Sequence, residues 1–255
     1  MAAVSKDRVG PVETNEGTAT VPQRNTLNMI VDVFASPGEA FASIRERPTV
    51  LVPILLVCIA AAAPAWLYLL EVDIGWLVER QLSAQRFIDL TDAQIETMAN
   101  AAADRGRAFT IAQSVAGTFV FVTAFVLIQS LYLRIVSAFR KDAVRYKQWL
   151  SLVSWASLPA ILGSIASIVF VLTNDVSFVE QTAINPLSFG NLLQLDPSNS
   201  STVMTVARNL SPINVWSLVL VFLGYRAISG ASLGTAAAVL LAPVLFIVAI
   251  VIALI

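Results

Sequence analysis

The sequence predicts an all-α integral membrane protein with five transmembrane helices, preceded by amphipathic helices in the interface, with its N-terminus inside and its C-terminus outside. Three observations carry this. Five long stretches hold no charged residue: 48–70, 109–133, 148–174, 209–225 and 227–255. The chain is 57% hydrophobic and only 13% charged, against about 25% charged in ordinary soluble domains. Lysine and arginine are shared unevenly between the segments that join those stretches. At about 1.5 Å of rise per helical residue, roughly 20 apolar residues cross a bilayer core of about 30 Å. Four stretches meet that length outright, and the fourth is shorter and closed by Arg226.

Residues 1–25 come first. They hold Lys6, Asp7, Arg8, Glu13, Glu16 and Arg24 around Gly, Thr and Pro, and they lack the apolar centre of a signal peptide. Such a segment buries too little surface to fold and is expected to be a disordered cytoplasmic tail. Residues 26–47 follow. Leu27, Ile30, Val31 and Phe34 recur at helical spacing, with Asn28 and Asp32 opposite them. Ser36-Pro37-Gly38-Glu39 then reads as a second helix start, with Ser as cap, Pro at the first turn and Glu completing a capping box. Phe41 and Ile44 continue the apolar face up to Arg45 and Arg47. The expectation is two short helices lying in the cytoplasmic interface. The competing reading is a helix packed on the bundle.

A five-span domain over 48–255 completes the chain, with spans expected at about 48–70, 109–134, 148–173, 212–229 and 234–255. With the N-terminus inside, eleven basic residues fall on inner segments and five on outer ones (Arg80, Arg86, Arg105, Arg107 and Arg208). Arg134, Arg140, Lys141, Arg145 and Lys147 make the densest cluster and hold the second loop inside. The aromatic residues agree: Trp66, Trp76 and Trp216 fall near outer ends, and Tyr132, Tyr146, Trp149 and Tyr225 near inner ends. The outer loop 71–108 carries seven acidic residues and a capping box at Thr91-Asp92-Ala93-Gln94, with Ile95, Met98 and Ala102 on one helical face. The outer loop 174–211 carries turn signals at Asn185-Pro186 and Asp196-Pro197-Ser198-Asn199, then helical spacing at Val203, Val206, Ala207 and Leu210. Ser211-Pro212 opens the fourth span.

Within the spans, small residues repeat every four positions. Ala156, Ala160 and Ser164 do so in the third, with Gly163 and Ser167 as a second pair, and Gly234, Ala238 and Ala242 in the fifth. This spacing lets helices approach closely in lipid, within the bundle or between copies. Pro53, Pro64, Pro159 and Pro243 each remove a helical hydrogen bond and invite a kink.

Chemistry is sparse. Histidine is absent and Cys58 is the single cysteine, which removes the commonest general base and metal ligand, and any disulfide within the chain. The span centres hold no Asp, Glu or Lys, so no proton relay or charged substrate site is expected. Polar groups there reduce to Gln113, Gln129, Ser and Thr, read as helix–helix hydrogen bonding or, in the sharper reading, as pore lining. No phosphate-binding glycine loop or nucleophile elbow occurs. A net charge of −1 without a basic stripe argues against nucleic acid. No cofactor or metal is expected.

Three strings carry a resemblance. They are Val33-Phe34-Ala35-Ser36-Pro37 through Phe41 to Pro48; Val144-Arg145-Tyr146-Lys147-Gln148-Trp149-Leu150 leading to Leu158-Pro159; and Asn214-Val215-Trp216-Ser217 with Phe222-Leu223-Gly224-Tyr225. In these, over about residues 26–255, the chain resembles the bacterial branch of the Yip family, the Ypt/Rab-interacting membrane proteins. The resemblance implies five spans and a cytoplasmic N-terminus. The Asp-Leu-Tyr-Gly-Pro string of the eukaryotic relatives is absent, and Rab binding is not carried over. The functional expectation is a non-enzymatic inner-membrane scaffold, assembly or membrane-organising protein. Its partners would be the lipid bilayer and another membrane protein or a second copy of itself. The alternative is a channel or carrier for a neutral or apolar solute; a lipid-modifying enzyme would need an interfacial carboxylate or Lys–Ser pair that is not found.

Overall fold

A computed structural model describes residues 26–83, 90–196 and 202–253. The expected tail over 1–25 and the turn centred on 197–199 lie outside the described residues. Every regular element among the described residues is helical. Two short helices, α1 (Thr26–Ala35) and α2 (Pro37–Ile44), lead into the long α3 (Leu51–Glu71). The first outer loop holds α4 (Ile74–Ser83) and α5 (Asp92–Asp104), followed by α6 (Arg107–Phe139). Next come α7 (Tyr146–Ala156) and α8 (Ala160–Thr173), a 3-10 turn (Gln181–Ile184), α9 (Phe189–Leu192), α10 (Thr202–Asn209), α11 (Pro212–Ser229) and α12 (Leu233–Ala253).

Among the described residues, four helices are long and apolar enough to cross a membrane: α3, α6, the joined α7–α8 and α11. The expected fifth span coincides with α12, a 21-residue helix whose Leu233–Phe246 part ranks among the shorter apolar helices. The second span is longer than expected, running 33 residues to Phe139. It ends in a two-bond helix stop: Lys141 N–H donates to Ala138 at 3.2 Å and Asp142 N–H to Ser137 at 2.9 Å. Lys141 stands at φ 58°, where glycine is the usual residue. α11 ends on Gly230 at φ 69°, the ordinary solution to the same problem.

Pro159 splits the third span. It has no N–H to give, and the ladder drops to shorter i→i−3 bonds around it (Leu158 N–H to Trp155 at 3.2 Å, Ile161 N–H to Leu158 at 3.0 Å). Pro64 and Pro243 lie inside unbroken helices, and Pro53 sits in the first turn of α3, where a missing N–H costs little.

Helix starts follow the sequence unevenly. Thr91 and Gln94 form the expected capping box. Asn214 Oδ1 accepts from the N–H and the hydroxyl of Ser211, both at 2.8 Å, opening α11. Ser36 departs from expectation. Its side chain makes no cap bond; the turn closes through backbone, with Ser36 N–H on Asp32 at 2.8 Å and Glu39 N–H on Ser36 at 3.1 Å. The helix α4 has no counterpart in the sequence reading. Its start is capped by Asp73, whose Oδ1 accepts from Trp76 N–H at 2.8 Å.

Among the described residues, two apolar cores form. The larger joins α1 and α2 to α7, α11 and parts of α3, α6 and α12, around Phe41, Ile44, Trp149, Leu152, Trp155 and Tyr225. The smaller sits at the opposite end, around Tyr68, Leu69, Val72, Leu77, Val171 and Val176.

Candidate functional site

The three strings of the resemblance meet in the larger core. Phe41 of α2 and Leu152 of α7 both close on Gly224 of α11, and both are fully buried. A Cβ on Gly224 would collide with Leu152 Cδ1 and lie 2.9 Å from Phe41 Cγ. Only glycine lets the three helices approach this far. At the next residue, Tyr225 stacks on Trp149 with ring centres 5.2 Å apart and planes 21° from parallel. That arrangement suits aromatic pairs.

The start of α7 also grips the end of α2 and the turn into α3. Gln148 Oε1 accepts from Arg145 N–H at 2.7 Å, and its Nε2 donates to the Arg45 carbonyl at 2.5 Å. Ser151 Oγ donates to the Thr49 carbonyl at 2.7 Å. Trp155 Nε1 donates to the carbonyl and Oγ1 of the same Thr49, at 3.1 and 3.0 Å. The N-terminal arm is thus bracketed by hydrogen bonds as well as packed. Among the described residues, Trp149 Nε1, Tyr225 OH and Arg226 Nε are buried without a hydrogen-bond partner.

The arm differs from the expected interfacial helices. Phe41 and Ile44 are buried against the bundle and are not available to lipid; the close-packed Gly224 face accounts for this. In α1 the docked residues are Met29 and Val33, which the periodicity argument passed over. Ile30 packs partly against the same core. Leu27, Val31 and Phe34 remain exposed, at 75, 62 and 37%. The arm therefore has a face held by the bundle and an apolar face held by nothing described. Trp149 and Tyr225, expected as interfacial belt residues, are core residues instead, whereas Trp66 and Trp216 are exposed as a belt requires.

The small-residue repeats divide. Ala156 and Ser167 are buried, while Ala160, Gly163 and Ser164 are half-buried. Nothing comes within contact of a Cβ placed on Gly163 except Ile213 Cγ1, at 4.0 Å. A glycine crowded by two other helices is found instead at Gly224, outside every repeat that the spacing picks out. In α12, Gly234, Ala238 and Ala242 face outward, and the chain packs through Ala236 and Leu240 instead. Most span hydroxyls turn inward on their own helix. Ser130, Ser154, Ser157 and Ser164 donate to carbonyls four residues back, at 2.6–3.1 Å. Bonds between helices come from elsewhere: Tyr132 OH donates to Val239 at 2.6 Å, and Cys58, buried, lies 4.0 Å from Thr123 Oγ1.

These contacts collect basic residues at one end. Arg45 is bound to the start of α7, which follows Arg140, Lys141 and Arg145, with Lys147 inside its first turn; Arg226 adjoins the stacked Tyr225. Arg140 pairs with Asp142 at 3.1 Å. Arg134 lies one to two turns before the end of α6. At the other end Tyr68 OH donates to Val179 at 2.7 Å, Arg107 Nη1 to the Leu69 carbonyl at 2.6 Å, and Arg80 Nε meets Glu180 at 2.6 Å. Trp76 sits edge-on to Phe178. Ser177 hydrogen bonds hold the exposed Asp175 carboxyl below the usual carboxylate range. Among the described residues no three His, Cys, Asp or Glu side chains gather to hold a metal ion.

Comparison with known proteins agrees with this picture. The Yip1 domain matches residues 31–255. A Bacillus subtilis (strain 168) protein named "Membrane protein YknW" is 31% identical over 222 residues, covering 87% of this chain and 85% of that protein. No solved structure matches.

Proposed function

The chain belongs to the Yip1 domain family, and from that premise we propose that it is a non-enzymatic scaffold or assembly protein of the bacterial inner membrane that engages another membrane protein. It is an integral membrane protein by its apolar helices and its relative. In this reading α12 is the fifth span, the N-terminus is inside and the C-terminus is outside. The gathering of Arg45, Arg140, Lys141, Arg145, Lys147 and Arg226 at one end supports that orientation.

The observation that carries the proposal is the exposed apolar face of α6, and the two-faced arm sets the bundle in the interface. α2 is fixed in the bundle by Phe41 against Gly224, while α1 offers Leu27, Val31 and Phe34 outward. An apolar stripe beside a basic cluster suits the bilayer interface, expected to be anionic on the cytoplasmic side. Within the membrane, α6 presents Val120, Phe121, Phe125, Ile128 and Leu131 as a long exposed apolar face. That face suits lipid or a partner's helix.

Photo-crosslinking residues placed at Phe121, Ile128 and, as a comparison, Leu172 test the partner. A discrete protein adduct from the α6 positions, absent at Leu172, is the expected result. Lipid adducts alone at every position would sink the scaffold reading. The carrier alternative is favoured by one observation: Gln113 lines a cavity together with Thr110 and Ser114. Solute uptake by vesicles holding the purified chain would replace the scaffold with a carrier.

A further inference from the structure

A cavity of about 380 Å³ opens at the end of the bundle away from the arm. It lies under the α4–α5 hairpin and over the first turns of α6. Its volume is at the small end of ligand sites, which span about 300–1,000 Å³. The lining is two-sided. Leu69, Leu77, Met98 and Phe109 are apolar; Arg105 and Gln113, with Gln81, Gln181, Thr110 and Ser114, are polar. Among the described residues that line the cavity, Arg105 brings the one formal charge and none is a carboxylate.

Position sharpens this. Leu69 is in the last turn of one membrane helix, and Phe109 to Ser114 are in the first turns of another. The cavity therefore stands where hydrocarbon gives way to headgroups. Phe109 and Met98 are about half exposed, so apolar surface leads from the site outward.

From this geometry we propose that the cavity seats an anionic phospholipid from the adjoining leaflet. Arg105 takes the phosphate, Thr110 and Gln113 reach the ester region along the first turns of α6, and the acyl chains leave over the exposed Phe109. A zwitterionic lipid brings an ammonium group that finds no carboxylate among the described lining residues. A free soluble anion leaves the apolar half unfilled. The inference needs α3 and α6 to cross the membrane. It does not need the partner binding proposed above, and it stands or falls separately.

The test uses the full chain, purified in a neutral detergent and titrated with phosphatidylglycerol or phosphatidylcholine, with bound lipid counted by native mass spectrometry. Phosphatidylglycerol should be retained in preference. Arg105→Gln should reduce that preference about fivefold, the size expected for one basic residue at an anionic surface. Ala102→Phe, on the cavity wall, should abolish retention. Arg105→Lys, which keeps the charge, should keep most of the preference. If Ala102→Phe fails to fold, Arg105→Gln against Arg105→Lys still decides. Equal retention of both lipids, no effect of Arg105→Gln, or an equal loss with Arg105→Lys would overturn the assignment. So would displacement by glycerol phosphate alone, which would make the site one for a soluble anion.

Discussion

Gly224→Ala is the smallest change that strikes the arm. The added methyl enters a space already taken by Leu152 Cδ1 and the Phe41 ring. Both neighbours are fully buried, so neither can swing into solvent, and overpacking of this kind costs about 1–3 kcal/mol. Alanine regains about 1 kcal/mol of helix propensity over glycine within α11. The net expected loss is about 0–2 kcal/mol, and Gly224→Leu, with three more heavy atoms, lies well beyond it. The loss should fall on docking of α2, because Phe41 belongs to a short arm while Leu152 is anchored within α7. A cysteine at Ala40, buried on α2, reports docking in a Cys58→Ala background. At the upper end, about 2 kcal/mol raises the undocked population roughly 30-fold. Maleimide labelling in membranes should quicken accordingly. The double variant Gly224→Ala with Phe41→Leu should recover part of the protection, since the two changes share one space. If Gly224→Leu leaves Ala40→Cys as protected as in the parent, the packing argument is wrong.

Other outcomes follow from the same contacts. Gln148→Leu orphans the Arg145 N–H and the Arg45 carbonyl, and should cost about 1–3 kcal/mol in detergent unfolding followed by tryptophan fluorescence. Ala156→Leu should lower folded yield, because Ala156 is buried, while Ala238→Leu on the outward face of α12 should leave it unchanged; matching losses would mean that α12 packs differently. Reporter fusions within 139–146 should read inside and a fusion after Ile255 outside, and active alkaline phosphatase in the 139–146 loop would reverse the proposed topology.

The spans were legible because lipid leaves a helix few options: charge-free stretches of the right length became α3, α6, α7–α8 and α11. Caps at Thr91 and Ser211 were legible for the same local reason, since donor and acceptor sit three residues apart. The helix α4 was missed because its cap, Asp73, carries no partner glutamate or glutamine at the third position; Trp76 stands there. The arm was misread for a different reason. Its periodicity is genuine, but a helix with apolar residues on two sides does not say which side meets protein. Leu27, Val31 and Phe34 fit the spacing as well as Met29 and Val33 do, and only the presence of α7 and α11 chooses between them.

The repeats failed as a guide to close approach on similar grounds. Small-xxx-small spacing is a property of one helix, whereas a close contact belongs to two or three. Gly224 has no small residue four positions before it, where Leu220 stands, and its neighbour Tyr225 is large. Its importance comes from Phe41, 183 positions earlier in the numbering (224 minus 41), and from Leu152, both delivered by other elements. Such a site is visible in sequence only as three loose strings far apart. Their convergence also gives the arm a physical role. α1 is held on one side by Met29 and Val33 and is open on the other. Anything that binds the open side more tightly when the arm is docked must, by linkage, strengthen docking to the same degree. Contacts at Gly224 and contacts at Leu27 and Val31 therefore bear on a single equilibrium, although they lie on opposite faces of the arm.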